Sequence, residues 1–494
     1  MDAYRTLEAQ YGRIGRVGQA MEVLYWDQAA MMPKGGAPAR AEQMATLELI
    51  RHELRVEDRI GDWLEAADGA QLNDWQRANV REMRRSYRHA TAVPGDLVAA
   101  ASRAGSQCEM VWREARKADD FATLTPYLEE VVRLGRLRAR AKADAFGVTP
   151  YDALLDEYEP GATSADIDTL FGELETFLPE LISNVIEHQA VHARFVRPQG
   201  PFPIEKQRAL GLKLMATLGF DFEHGRLDVS AHPFCGGNPD DVRITTRYGT
   251  DDFTRSLMGV IHETGHALYE RGLPAQWRYQ PVGKARSMGI HESQSLLMEM
   301  QACRSREFLQ FVTPLLRETF EGEGPAWEKE NLYRIYTRVE RGLIRVDADE
   351  VTYPAHVILR YRLERALLSG ELEVQGLPDA WNAGMRALLG ITPSTNRDGC
   401  MQDIHWMDGT FGYFPTYTLG AMTAAQLFDT ATTAVSEILP SIAVGDFSPL
   451  VSWLRANVHA EGCRMETNDL VTQATGRPLE VGVFRRHLER RYLG

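Results

Sequence analysis

The most constraining feature of this 494-residue chain is a helical spacing of apolar residues that runs through most of its length. In the first 190 or so residues, apolar side chains recur every three or four positions inside highly charged stretches such as 77–89 and 127–142. This pattern is typical of amphipathic helices that bury one face. Proline and glycine residues between these stretches predict interhelical turns at 33–36, 94–95 and 160–161.

A short central segment breaks the helical pattern. Residues 227–250 combine β-branched and aromatic runs with glycine and proline, which predicts two or three short strands. Helical spacing returns at Asp251, and glycine- and aromatic-rich residues 409–420 predict a later loop. We expect a mainly α fold with a small β-sheet. Residues 1–494 are predicted to form one domain, with a helical lobe over about 1–200 and a second lobe over about 201–494.

Composition and charge limit the partners and the compartment. The 69 acidic and 55 basic residues give a formal net charge of −14, which disfavours a broad phosphate-binding surface and predicts no nucleic-acid partner. The chain is charged from Asp2 onward, and no apolar run reaches the about 18 residues of a membrane span. The five cysteines are scattered without a C-x-x-C pair, as expected of reduced thiols. We therefore expect a cytoplasmic protein with no membrane partner.

The sharpest chemical signal is the pentapeptide H-E-T-G-H. Its histidines, His262 and His266, are four residues apart, so on a helix both imidazoles project from one face and can share a metal ion. Glu263 lies beside the first histidine, where a carboxylate can act as general base toward the attacking water without binding the metal. An acidic start near residue 251 and a stop near residue 272 place the motif inside a helix.

A catalytic zinc ion needs three protein ligands and an open fourth position, so one more ligand is required. The pattern with a third histidine would place it at position 272, which is Gly272, and that subclass of metallopeptidases is excluded. The alternative is a glutamate from a following helix, and we predict Glu292, which is 26 residues after His266. Glu299 is the competing candidate, and otherwise a partner that orients a ligand. His291 is as consistent with packing as with a substrate contact.

Blocks on both sides of the metal motif form a second signal. They are Y-W-D-Q-A-A-M-M-P at 25–33, H-P-F at 232–234, D-V-R-I-T at 241–245, H-E-S-Q-S at 291–295, D-E-V-T-Y-P-A-H-V-I-L-R at 349–360, G-C-M-Q-D-I-H-W at 399–406 and G-Y-F-P-T-Y-T-L-G at 412–420. In this order the set resembles the carboxypeptidase Taq family of metallocarboxypeptidases over most of the chain. The resemblance implies a helical, clam-like fold of the gluzincin type with a long groove and a small β-sheet beside it. It also implies one metal ion per subunit, a homodimer, and release of single C-terminal residues from peptides.

The same blocks supply candidates for substrate binding. A carboxypeptidase needs a cation for the terminal carboxylate, and arginine suits this because its planar fork can pair with both oxygens. Arg243 and Arg360 lie in two of these blocks and Arg345 in a further matching block, L-I-R-V-D-A-D-E at 343–350. The sequence leaves open which of the three binds the carboxylate. Three further residues are expected to contact substrate or to orient these groups: His232, Asp241 and Gln402, with Asp403 beside the last.

The tetrahedral intermediate also needs a hydrogen-bond donor, for which His405, Tyr413 and Tyr417 are candidates. Tyr417 is favoured because related helical gluzincins close a tyrosine from a late glycine-rich loop over the scissile carbonyl. Tyr413 and Trp406 are expected to pack along the groove.

Three functions fit these residues. The leading hypothesis is a zinc carboxypeptidase of broad specificity that acts on peptides with free C-termini, with cobalt or manganese as possible alternative metals. An oligopeptidase or dipeptidyl carboxypeptidase would use the same metal chemistry with a different groove end. A non-catalytic, zinc-dependent peptide binder would need the ligands but not Glu263, which is present here.

Overall fold

The computed structural model describes residues 2–192 and 194–494. Within them the chain forms twenty α-helices and three β-strands. The helices are α1 (Asp2–Ala30), α2 (Ala37–Arg55), α3 (Arg59–Asp68), α4 (Asp74–Thr91), α5 (Gly95–Ala118), α6 (Phe121–Phe146), α7 (Pro150–Leu155), α8 (Ser164–His192), α9 (Ile204–Leu218), α10 (Phe253–Gly272), α11 (Met288–Leu296), α12 (Arg306–Phe320), α13 (Lys329–Tyr336), α14 (Tyr353–Ser369), α15 (Leu377–Leu389), α16 (Pro415–Ala434), α17 (Ile438–Ile442), α18 (Ser448–Asn457), α19 (Thr467–Thr475) and α20 (Val481–Tyr492).

The three strands form one small sheet in the order β1-β3-β2, with β1 at Gly225–Val229, β2 at Cys235–Asn238 and β3 at Asp241–Thr246. The central strand β3 runs parallel to β1 and antiparallel to β2. Alternate residues of β3, Val242 and Ile244, are buried in a small apolar cluster with Val260 of α10. The sheet therefore packs directly against α10.

Helix α10 has two buried apolar faces. Val260 and Ala267 belong to the cluster under the sheet, while Ile261 and Leu268 belong to the main core of the protein. The helix begins at an Asp252 cap whose Oδ1 accepts a hydrogen bond from the Thr254 N–H (2.8 Å). Packing on two sides fixes this helix, and its remaining face carries the polar residues of the metal motif.

Helix α11 lies between α10 and α16, and its backbone is in close contact with both. A methyl group added at Gly265 of α10 would come within 2.5 Å of the Gln294 carbonyl oxygen of α11. One added at Gly420 of α16 would come within 2.8 Å of Glu292 Cβ. Only glycine allows backbones to approach this closely without displacing a neighbour. These two glycines therefore set the position of α11 between its neighbours.

The expectation of a mainly α fold with a small sheet is confirmed, and the predicted strands form that one sheet. The predicted loop at 409–420 is wrong in its second half, because α16 begins at Pro415. Proline suits the first turn of a helix, where no partner for its missing N–H is needed. Tyr417 consequently lies on a helix rather than a loop. In the residues described, no helix is both long and apolar enough to cross a lipid bilayer.

We predict that Gly265→Ala destabilises the protein by about 1–3 kcal/mol, because overpacking at the α10–α11 contact outweighs the helix propensity gained. Gly259→Ala is the matched control on the same helix, since its added methyl group meets only Thr246 Oγ1, at 3.8 Å. The control should be neutral or slightly stabilised. Urea unfolding of both variants measures the difference, and equal stabilities would contradict the tight-contact argument.

Candidate metal centre

Three side chains converge where α10 and α11 meet. His266 Nε2 lies 3.5 Å and His262 Nε2 lies 4.0 Å from Glu292 Oε2. Ligand atoms about 2.0–2.2 Å from a tetrahedral zinc ion are about 3.3–3.6 Å apart, so a small contraction would complete the geometry. Within the part of the chain that the structure describes, this is the one group of three such residues with ligand atoms within 4.8 Å of one another. Two imidazoles and one carboxylate fit a divalent transition metal.

Glu299 lies behind His262 and outside the group of three converging side chains. Its Oε2 accepts a hydrogen bond from His262 Nδ1–H (2.9 Å), and its other oxygen is paired with Arg304. Burial opposes ionisation of Glu299, but Arg304 and His262 outweigh it and hold its pKa below the usual range. A carboxylate on Nδ1 leaves Nε2 free for the metal and fixes the ring orientation.

His266 is supported in a parallel way through His291. Its Nδ1 lies 3.1 Å from the His291 carbonyl oxygen and 2.7 Å from His291 Nδ1. The His291 Nε2–H donates to Glu270 Oε1 (2.9 Å), which leaves the His291 Nδ1 as an acceptor facing His266. His291 therefore lies behind a ligand, which explains its presence beside Glu292 without a substrate contact.

The N-terminus of α11 is held by a residue from a distant part of the chain. Glu159 accepts a hydrogen bond from the Gly289 N–H, and Ser287 Oγ accepts one from the Ile290 N–H (3.1 Å). Burial raises the pKa of Glu159 to about 7. Both caps satisfy N–H groups that a helix cannot satisfy itself, and they lie one turn before Glu292.

Glu263 is almost fully buried on α10 beside the ligand cluster. Burial is the main cause of its pKa of about 7, with the carboxylate of Glu292 acting in the same direction and His262 opposing it. A carboxylate with a pKa near neutrality can both accept and return a proton. A buried carboxyl group of near-neutral pKa thus lies beside the first histidine of the motif.

A second polar cluster contains two of the three candidate arginines. Asp403 Oδ1 accepts hydrogen bonds from Arg345 Nε and NH2 (3.0 and 2.8 Å), and its Oδ2 accepts one from Arg360 Nε (2.6 Å). The two guanidiniums hold the pKa of Asp403 well below its usual range, although burial alone would raise it. Gln402 accepts a hydrogen bond from the Arg345 N–H (2.9 Å). Two cations sharing one carboxylate leave a net positive charge.

Tyr417 joins this cluster to the metal site. Its ring lies under the Arg345 guanidinium at 4.5 Å, and its hydroxyl is 3.1 Å from His405 Nε2. Burial lowers the pKa of His405 to about 3 and raises that of Tyr417 to about 12, so the first is neutral and the second protonated near pH 7. Gly420, one turn further along α16, contacts Glu292. Tyr417 therefore lies on the helix that contacts Glu292.

Arg243 and Asp241 are occupied with each other. Their side chains form two hydrogen bonds on β3 (2.9 and 2.6 Å), and the Arg243 guanidinium lies 4.2 Å from the centre of the Trp26 ring in α1. No hydrogen bond or ion pair among the described residues links this pair to Arg345. His232 is exposed, and its carbonyl accepts a hydrogen bond from Ser230 Oγ (2.6 Å). In the described residues, these three side chains thus take no part in the hydrogen bonds of the second cluster.

Tyr413 and Trp406 pack as expected. The Tyr413 ring meets Tyr158 and Tyr417 edge to face, while Trp406 is buried and donates to Glu364 Oε2 (2.9 Å). Glu364 also accepts hydrogen bonds from the Tyr151 hydroxyl and the Gly412 N–H, so it ties both ends of the 405–412 segment together. Sequence reasoning missed Glu364, Glu159 and Glu270, because each is distant in sequence from the residues that it supports.

Two histidines one turn apart, a glutamate of the next helix close to both, and a buried glutamate beside the first histidine, set in a mainly helical fold, are the arrangement expected of a metallopeptidase. Residues 6–492 match the family described as carboxypeptidase Taq (M32) metallopeptidase, and the chain belongs to this family. It is therefore a metallocarboxypeptidase, a hydrolase that acts on peptides and requires a divalent metal ion.

Individual relatives support the same assignment. Thermostable carboxypeptidase 1 of Thermus thermophilus is 42% identical over 480 residues, which cover 94% of each chain. The structure of Trypanosoma cruzi metallocarboxypeptidase 1 superposes with a TM-score of 0.98 at 42% identity, covering 100% of both chains. The carboxypeptidase structure from Pyrococcus furiosus gives a TM-score of 0.95 at 35% identity, covering 100% of this chain and 99% of that one. The likeness extends over the whole fold.

The two candidate glutamates can be separated by metal affinity. We predict that Glu292→Ala abolishes stoichiometric zinc binding, because it removes one of three ligands. Glu299→Gln keeps all three ligands and should weaken binding by roughly 10- to 100-fold. Competition with a chromogenic chelator measures both, with circular dichroism as the control for folding. A larger loss in the Glu299 variant would contradict the assignment of Glu292 as ligand.

Proposed function

We propose that the protein is a zinc carboxypeptidase that releases single C-terminal residues from peptides, with Glu263 as general base. The observation that carries this proposal is the position of Arg345. Its guanidinium lies over Tyr417, on the helix that contacts Glu292, so a cation and a donor stand together beside the metal ligands. Such an arrangement can hold a terminal carboxylate while the adjacent peptide bond is presented for hydrolysis.

The ligand set supports zinc, because two imidazoles and one carboxylate with an open position are typical of catalytic zinc sites. A zinc ion held by His262, His266 and Glu292 would act as a Lewis acid on the peptide carbonyl and lower the pKa of water. Glu263 takes a proton from the attacking water and passes it to the departing amine. Its burial and its pKa of about 7 favour both transfers.

We assign the carboxylate anchor to Arg345. Arg360 is completely buried, and it donates to Asp403 and to the His356 carbonyl oxygen (2.7 Å), so its role is to hold Asp403 in place. Arg345 keeps 6% of its surface exposed and shares the same carboxylate. Because Asp403 neutralises only one of the two cations, an incoming carboxylate restores the balance of charge.

Tyr417 is proposed as the donor to the developing oxyanion. Its hydroxyl remains protonated because burial raises its pKa to about 12, and neutral His405 holds the hydroxyl in place from 3.1 Å. A fixed donor aimed at the place where negative charge develops stabilises the transition state more than the ground state. Arg243, Asp241, His232 and Gln402 are then left with roles in shaping the site.

Broad specificity follows from the same anchor. The recognition contact is made to the terminal carboxylate, which every unblocked peptide carries, and not to a particular side chain. We also propose one catalytic unit, because Leu128 and Leu174 of the first 200 residues share a core with Ile261 of α10. A cytoplasmic homodimer is proposed from the scattered free cysteines and the family resemblance, and light scattering tests the oligomeric state.

The deciding experiment compares a short unblocked peptide with its C-terminally amidated twin. We expect the zinc-loaded protein to shorten only the free acid, one residue at a time, because the amide cannot form the charged contact with Arg345. Mass spectrometry identifies the products, and Glu263→Gln serves as the inactive control. Internal cleavage of both peptides would favour an oligopeptidase. Metal binding without any cleavage would favour a peptide binder.

Substitution of the anchor tests its identity separately. We predict that Arg345→Met lowers kcat/KM on free-acid peptides by roughly 10- to 100-fold, since a hydrogen bond to a charged group contributes about 1.5–3 kcal/mol. Arg243→Met is the matched control, because that guanidinium is paired with a carboxylate, Asp241, that no second arginine shares in the described residues. Steady-state kinetics measures both. A larger loss of kcat/KM in the Arg243 variant would instead assign the carboxylate anchor to Arg243 on β3.

A further inference from the structure

The helix that carries Glu292 does not end as a regular α-helix. After α11 the chain continues through a π-helical turn, Leu297–Ala302, which contains Glu299. The Cys303 N–H donates to the Met298 carbonyl oxygen (2.9 Å), five residues back, as the wider π register requires. A helix end leaves its last carbonyl groups without N–H partners, so the carbonyls that follow Glu299 need donors from elsewhere.

Those donors come from α20. The Arg491 guanidinium donates to the Met300 carbonyl oxygen and, through NH2, to that of Gln301 (3.0 Å). These are the two residues that directly follow Glu299. The Arg491 side chain is only 9% exposed, so water does not compete freely for the two carbonyls. One planar guanidinium thereby fixes both peptide groups at the end of the turn.

Glu350 in turn holds Arg491. Its Oε2 accepts hydrogen bonds from Arg491 (3.1 Å) and the Tyr492 hydroxyl (2.9 Å), and its Oε1 accepts from Gln301 (2.6 Å) and His487 (2.8 Å). Glu350 is 1% exposed and pairs with the cation that would otherwise be buried alone. The network therefore joins α20 to the π-helical turn through the backbone carbonyls of the turn and through its Gln301 side chain.

We propose that α20 is a positioning element for the metal centre. Arg491 fixes the turn that carries Glu299, Glu299 fixes the Nδ1 side of His262, and His262 presents Nε2 to the metal. This inference rests on the metal site of the proposed function. It assigns to Arg491 a role in metal affinity in addition to any role in stability, although the residue touches neither metal nor substrate.

The test uses Arg491→Met in the full-length protein. We expect zinc affinity, measured by chelator competition, to fall by roughly 10-fold or more, as when a partner that orients a ligand is lost. The visible absorption of the Co2+-loaded variant should change in position or intensity, because the His262 ring is no longer held in one orientation. Arg490→Met is the matched control, since the Arg490 side chain is 72% exposed and its guanidinium lies 3.9 Å from the Asp429 carboxylate. The control should match wild type.

A double-mutant comparison separates positioning from general destabilisation. If Arg491 acts through Glu299, its replacement should weaken zinc binding much less in a Glu299→Gln background. Equal losses in both backgrounds, or a lower melting temperature of the metal-free protein with unchanged zinc affinity, would overturn the proposal. If the methionine variant does not fold, Arg491→Lys decides, because lysine can reach one carbonyl but not both and should bind zinc more weakly than wild type. Unchanged zinc affinity in the lysine variant would overturn the proposal. Wild-type protein that binds no zinc would instead refute the metal site itself.

Discussion

The metal centre depends on the close packing of α11 between α10 and α16. Two residues of the candidate site come from one helix and the third from its neighbour, so the spacing of the helix axes sets whether three atoms could share one ion. Gly265 and Gly420 permit that spacing, because any side chain at either position would meet α11. The same contact brings the start of α16, and with it Tyr417, beside Glu292. The chemical properties of the site therefore depend on the close packing of these helix backbones.

The second constraint is an imbalance of buried charge. Asp403 is shared by Arg345 and Arg360, and burying two cations with one anion costs free energy that a neutral core would not. In the proposed function, this cost is offset when a substrate carboxylate completes the cluster. The proposed anion-binding position would then be oriented before the peptide arrives, which reduces the reorganisation needed on binding.

Much of the fold and of the metal site could be predicted from local sequence patterns. The spacing of His262 and His266 predicts their geometry directly, because residues four apart on a helix share a face. The prediction of Glu292 required knowledge of the third ligand that such metal sites use, because helical spacing alone also allowed Glu299. The loop prediction at residues 409–420 was wrong in its second half. It gave more weight to the glycine and aromatic composition than to Pro415, which is typical of the first turn of a helix.

Contacts between distant segments could not be predicted. The pairing of Asp403 with Arg345 joins residues 58 apart, and the hydrogen bond between Gly289 and Glu159 spans 130 residues. No periodicity relates such positions, since their proximity results from the packing of whole helices. The sequence therefore identified the three residues that the structure brings together at the candidate metal site, but not the residues that orient them.

The segment from α11 through its π-helical turn is held at its start by Glu159 and at its end by Arg491, which are more than 300 residues apart in the chain. These two contacts join residues 130 and 190 positions apart, and the loops that they close are costly in entropy. We therefore expect the candidate site to be assembled by the fold and not by the ion. Such a protein would differ from a zinc finger, in which the metal nucleates a fold that does not exist without it.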